Sequence, residues 1–443
     1  LGEGPTKRRS LSITALHIRT EEPKAEKDTD TRPEDQPRPV DLSIQYPQIT
    51  RIGLSKGQGM GAFWDPSRPD DGPPAKIGQG RVLLIGFLVF ILASVWPPLI
   101  LVVTFVLSRL IPYTFRVNDD GESRRKFHRE FKQRTNTPKD FRIVPDDIVM
   151  KERYWVNERG MCLLTVTIEP AKPSDIKAVA CFCHGYGDNA SFLKPVEYRR
   201  YVRAGIAVVM IEYEGHGRSD GLIGMTPRFD GMVDDVSSFF EEVTDKKYPG
   251  KKRFIVGESM GGAVAMLTYN RKPSIWTGVV FVCPMCKVSP NMLPPDWVVT
   301  TLRRILGPSG HVTAFGSLPI APSKGNTANE SFKLLGKKRI FTMHPFIYGR
   351  QPRLDTAREI IDVTGKISGS LIKEFDAPFL VQHGSADKVT MPELSQMLYN
   401  EAKAKDKDII IYEGMWHALT SGEPDENIDR VFKDSIKWIL ERA

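Results

Sequence analysis

Cysteine is scarce in this chain. Five thiols in 443 residues, Cys162, Cys181, Cys183, Cys283 and Cys286, are too few and too irregularly spaced for a disulfide framework, and they point to a reducing compartment. Cys283-Pro284-Met285-Cys286 spells C-x-x-C, but it follows the apolar run Val279 to Val282 and no second pair completes a zinc site. Zinc-finger spacing and basic-aromatic repeats are missing as well. The net charge of +8 therefore fits an anionic membrane surface better than nucleic acid, and no nucleic-acid partner is expected. No H-E-x-x-H occurs, so His184, His216 and His383, each followed by glycine near the end of an apolar run, are expected to hold loops rather than a metal. The early residues lack an apolar core and are rich in acids, which reads against a cleavable leader.

What is present divides the chain. Residues 1–80 are rich in proline and in charges of both signs, with little apolar periodicity, and are expected to be disordered. Residues 81–115 contain the run Val82 to Ser108, 27 residues without a charge, where roughly 20 apolar residues span a bilayer. Trp96-Pro97-Pro98 interrupts it near the middle, so a kinked single span and a hairpin both remain open. Basic residues flank both ends and are denser after the run, at Arg109, Arg116, Arg124, Arg125 and Lys126, which places that side in the cytosol. A hairpin suits a lipid droplet, and a single span suits a bilayer such as the endoplasmic reticulum. Residues 116–140 read as a basic linker.

From residue 141 to 443 short apolar strands alternate with amphipathic helices, the pattern of an α/β layer fold. Strands are expected at Ile148 to Val156, Cys162 to Ile168, Ala178 to Cys183, Ile206 to Tyr213, Arg253 to Val256, Trp276 to Val282, Phe379 to Gln382 and Ile409 to Tyr412. Helices are expected at Pro195 to Arg203, Asp230 to Val243 and Ile428 to Leu440. The rhythm breaks at about 288–375, a helical and loop-rich insertion that marks a cap.

The residues that carry chemistry begin with Gly257-Glu258-Ser259-Met260-Gly261. A serine on a sharp strand-to-helix turn needs tiny neighbours two residues before and after it, and Gly257 and Gly261 supply them. The serine then needs a base and a carboxylate to orient that base. Asp387 in "HGSADKVT" and His417 in "YEGMWHALTSG" follow it in the order Ser, Asp, His, each just beyond a strand. Ser259 is assigned as nucleophile, His417 as general base and then acid, and Asp387 as its orienting carboxylate. Two backbone N–H donors are required for the oxyanion, and Met260 and Tyr186 in "HGYGD" are the candidates.

Taken in order, "HGYGD", "EYEGHGRSDG", "GESMGGAVA", "CPMCKVSP", "HGSADKVT" and "YEGMWHALTSGEPDENID" resemble the monoacylglycerol lipase-like branch of the α/β-hydrolases, including plant caffeoylshikimate esterases, over roughly Phe141 to Ala443. The resemblance implies an eight-stranded, mostly parallel sheet, a helical cap, no cofactor, and hydrolysis of long-chain carboxylic esters. Ser259, Asp387 and His417 match its triad, and Tyr186 and Met260 its oxyanion positions. The cap stretch "SGHVTAFGSLPIAPSKGNTANESFKLLGKK" matches only loosely, which leaves head group and chain length open. A lipid ester such as monoacylglycerol or a lysolipid is expected as substrate, at a membrane or lipid-droplet surface. Acyl transfer on the same triad and a non-catalytic hydrolase-fold binding protein are the other readings, and oligomeric state is undetermined by the sequence.

Overall fold

Runs of β-branched and aromatic residues separated by glycine turns build eight strands: β1 (Ile148–Val156), β2 (Cys162–Pro170), β3 (Ala178–Cys183), β4 (Ile206–Ile211), β5 (Lys252–Glu258), β6 (Gly278–Val282), β7 (Phe379–Gly384) and β8 (Lys407–Tyr412). The computed structural model describes residues 120–134, 145–191, 193–288, 293–310, 312–313, 315–321 and 330–443. Residues 1–80 and the apolar run Val82 to Ser108 lie outside the described residues. Among the described residues no helix is long and apolar enough to cross a membrane.

The strands form one sheet in the order β1-β2-β4-β3-β5-β6-β7-β8. β1 and β2 pair antiparallel, as do β2 and β4, and every later pairing is parallel. The hairpin turn joining β1 and β2 is the Asn157 to Gly160 stretch, closed by the Gly160 amide donating to the Asn157 carbonyl at 2.9 Å. Strand β3 is buried along its whole length. Its alternate residues therefore serve two cores, and both must be apolar. Val179, Cys181 and Cys183 join one core with Phe239 and Phe240 of α3 (Phe229–Lys247) and Val264 of α4 (Met260–Arg271). Ala178, Ala180 and Phe182 join the other with Tyr198 of α2 (Leu193–Arg203) and Phe432 of α9 (Asp425–Leu440).

Between β6 and β7 the chain leaves the sheet and runs through α5 (Asp296–Leu306), α6 (Leu335–Thr342) and α7 (Leu354–Lys366). Helix α8 (Pro392–Glu401) then leads to β8. The apolar side of α7 carries Leu354, Val363 and Ile360 toward neighbouring apolar groups, and Leu354 packs with Leu306 and Leu302 of α5.

One expectation is corrected. Residues 116–140 were expected to be a linker, yet they contain helix α1 (Gly121–Arg134). Its anchor is polar: the buried Arg124 guanidinium donates to the Gly217 carbonyl at 2.7 Å and to the Gly221 carbonyl at 3.0 Å. Arg125 pairs with Asp220 at 2.5 Å, and the Phe127 ring meets Phe346 edge-on at 6.2 Å. A helix held by guanidinium groups has no apolar stripe to reveal it in the sequence.

Candidate active site

Ser259 occupies the turn between β5 and α4 with φ 53° and ψ −120°. Besides Cys283, it is the one non-glycine residue with positive φ among the described residues. Such a conformation costs on the order of 1–3 kcal/mol and persists only where surroundings impose it. Here the Ser259 amide donates to the Val282 carbonyl at 3.0 Å, and its carbonyl accepts from Gly262 and Met285, each at 2.9 Å. The flanking glycines are sterically required. A Cβ on Gly261 would stand 2.0 Å from the Cys183 carbonyl oxygen, and one on Gly257 would stand 2.4 Å from that of Gly261.

The loop after β3 lies directly on the serine, since a Cβ on Gly185 would sit 3.4 Å from Ser259 Cβ. Tyr186 follows, and its hydroxyl donates to the Gly224 carbonyl at 2.8 Å. Met260 opens helix α4, so its amide is among those a helix leaves without an internal partner.

Asp387 sits on the loop after β7. Its Oδ1 accepts from the amides of Val389 at 2.7 Å and Thr390 at 3.1 Å, while Oδ2 accepts from His417 Nδ1 at 2.7 Å and the Thr390 hydroxyl at 2.9 Å. Burial alone would raise this carboxyl, but His417 and His383 outweigh it and hold Asp387 far below the usual carboxylate range. The bond to Nδ1 leaves His417 Nε2 for the cavity, whose wall His417 shares with Ser259, Gly185 and Tyr186. The three residues named from the sequence therefore converge from three loops at one end of the sheet.

The other histidines hold loops. His184 Nδ1 meets the Gly185 carbonyl at 2.9 Å while its Nε2 accepts the Tyr213 amide at 3.3 Å, and burial keeps the ring well below its ordinary pKa. His216 is pushed down to about 4, again first by burial. His383 bridges Ser395 Oγ at 2.6 Å and the Thr390 carbonyl at 2.7 Å, and its Nε2 lies 3.0 Å from Asp387 Oδ2. Among the described residues, Cys283, Asp387 and His417 place one potential metal ligand each within 4.8 Å of one another. Burial raises the Cys283 thiol far above its ordinary range.

Two features went unread in the sequence. Thr390 touches Asp387, and its hydroxyl lies 3.1 Å from His417 Nδ1. Glu258, immediately before Ser259, accepts from Tyr198 at 3.0 Å and from Thr420 at 2.5 Å, and pairs with the buried Lys194. Through Thr420 it ties the elbow to the loop that carries His417. The signal was available in the acid of "GES", but its partners lie 64 and 162 residues away.

Ser259 also stands where two cavities meet. One runs under the cap between Val299, Leu302 and Leu306 of α5 and Leu354, Ile360 and Ile361 of α7, and is apolar. The other holds His417, Glu258, Lys194, Asp188, Arg350 and Thr420.

The profile of the family described as serine aminopeptidase, S33, matches residues 174–425, more than half of the chain. The chain belongs to this family of α/β-hydrolases. It is 32% identical to a caffeoylshikimate esterase of Arabidopsis thaliana over 271 residues, covering 61% of this chain and 79% of the relative. It is 26% identical to a monoglyceride lipase of Homo sapiens, covering 60% and 84%. A solved structure of a soluble variant of the Saccharomyces cerevisiae monoglyceride lipase, with a substrate analog, aligns over 69% of this chain and 99% of its own with a TM-score of 0.54 at 17% identity. That likeness is one of fold. The chain is thus a serine hydrolase of the monoglyceride lipase-like branch, an enzyme of carboxylic esters.

Proposed function

We propose that this protein hydrolyses a long-chain acyl ester, monoacylglycerol first, through an acyl-enzyme on Ser259. The observation that carries the reading is the position of Ser259 between an apolar and a polar cavity, which matches an ester with one greasy and one hydroxylated half. With the acyl chain under α5 and α7, Ser259 Oγ attacks the carbonyl as His417 Nε2 takes its proton. Asp387 holds the imidazole in the tautomer that leaves Nε2 as the acceptor. The amides of Tyr186 and Met260 receive the oxyanion, an arrangement in which one donor is worth roughly 10²- to 10³-fold in rate. The leaving alcohol departs on the polar side, where His417 returns the proton, and water then releases the fatty acid.

Arg350 on the polar wall supports a lysophospholipid as second substrate, because it offers a cation to a phosphate. The run Val82 to Ser108 supports a membrane or lipid-droplet anchor, with the catalytic domain on the cytosolic side, so that an insoluble ester reaches Ser259 without crossing water. The test is release of glycerol and fatty acid from 1- and 2-monoacylglycerols beside lysophosphatidylcholine, by wild type and Ser259→Ala. Release that the substitution abolishes is expected. Equal release by both proteins, or none from any lipid, refutes the proposal.

A further inference from the structure

The loop from Glu212 to Gly224 touches the oxyanion loop at three points. Gly224 takes the Tyr186 hydroxyl, Glu212 accepts from the Ala190 amide at 3.1 Å and from Ser191 Oγ at 2.7 Å, and the His216 ring meets the Tyr186 ring edge-on at 5.6 Å. The loop has little secondary structure of its own. Its shape depends on Glu212 accepting the Arg218 amide at 2.6 Å, and on a Gly217 whose added Cβ would stand 2.0 Å from Glu212 Oε2. From outside, α1 closes it. Arg124 Nε and Nη2 donate to the carbonyls of Gly217, Ser219 and Gly221, and the Asp120 carboxylate beside it accepts the Ile223 amide at 3.0 Å. Arg124 is 3% exposed, so no solvent replaces these bonds.

We infer that Arg124, on a helix outside the family-matched residues 174–425, is a positioning residue for the oxyanion loop, acting through the carbonyls of Gly217, Ser219 and Gly221 on Tyr186 and Ala190. The inference rests on the reading of the Tyr186 amide as an oxyanion donor. A guanidinium suits the task because its donors are spread over a rigid planar fork, whereas an ammonium is a compact charge on a flexible stem.

In the full chain, fluorophosphonate labelling run to completion counts competent Ser259 sites, and kcat and KM for a short-chain ester are then expressed per labelled site. Arg124→Ala is expected to lower kcat per site about tenfold or more with KM nearly unchanged, since small misplacements at a reacting centre are costly. Arg124→Lys should fall between it and wild type, and added guanidinium should raise the rate of Arg124→Ala alone. Lys126→Ala, exposed on the same helix, should match wild type. A kcat per labelled site in Arg124→Ala equal to wild type, even with fewer sites formed, would overturn the positioning role. A wild-type protein that takes no label would instead overturn the reading of Ser259.

Discussion

The two cavities that meet at Ser259 are built by opposite means. The apolar one is walled by side chains of the cap, chiefly aliphatic residues of α5 and α7, and contains few groups that could orient a ligand. The polar one is walled by loops at the ends of the strands together with residues of the same insertion such as Phe332, Phe341 and Arg350, and is backed by charges that α2 supplies, Lys194 against Glu258 and Asp188, with Glu197 behind. In the proposed reading, dispersion and burial select length on one side, while hydrogen bonds and charge select chemistry on the other. Under the proposed function, chain-length preference and head-group preference rest on different side chains and can be altered separately.

The largest test of that division strikes what both cavities share. Asp387→Asn should lower kcat by about 10⁴-fold for long and short esters alike, because an amide N–H can face His417 Nδ1 where the carboxylate accepts, which favours the wrong imidazole tautomer. A loss confined to one substrate class would show that the cavities do not serve one triad.

Glu197 tests the backing of the polar wall. Its carboxyl is fully buried, its two oxygens have no hydrogen-bond partner among the described residues, and burial first, offset in part by Lys194, pushes it up to about 7. A raised carboxyl binds its proton more tightly in the folded state. Stability should therefore fall as pH rises from the ordinary glutamate range to about 7, then level off. The loss should be on the order of 3 kcal/mol. Thermal unfolding of wild type and Glu197→Gln across that range checks it, and a wild-type curve parallel to the variant's refutes it.

Smaller effects separate the walls. Leu302→Asp, on the apolar side, should reduce kcat/KM for a long-chain ester about tenfold or more relative to an acetyl ester, since it places a charge where methylenes pack. Arg350→Ala, on the polar side and exposed, should change the ratio of lysophospholipid to monoacylglycerol turnover only several-fold, about the worth of a solvent-screened ion pair. Either substitution altering both preferences equally would dissolve the distinction between the cavities.

The core elements were legible because each rests on a local rule. The elbow needs glycine on both sides of Ser259, the buried strands need unbroken apolar runs, and the order of Ser259, Asp387 and His417 follows from loops at one end of a parallel sheet. Strand limits moved by a few residues: β2 extends to Pro170, β4 stops at Ile211, and β5 reaches from Lys252 to Glu258. What was not legible depends on distant partners. Helix α1 looked like a linker because its buried face is an arginine, and Glu258 looked incidental because Lys194, Tyr198 and Thr420 meet it only in the fold.

By itself, then, the sequence determined the layer fold, the turn that sets Ser259 between its glycines, and the order in which Asp387 and His417 follow it. These are set by backbone sterics and by chemistry that admits few residue types. Only the tertiary structure decided that Ser259 divides an apolar cavity from a polar one, that Glu258 binds the elbow to the His417 loop, and that Arg124 braces the loop beneath Tyr186. Those are relations between residues far apart in the chain, and a polar side chain acquires its meaning from the partner that burial brings to it.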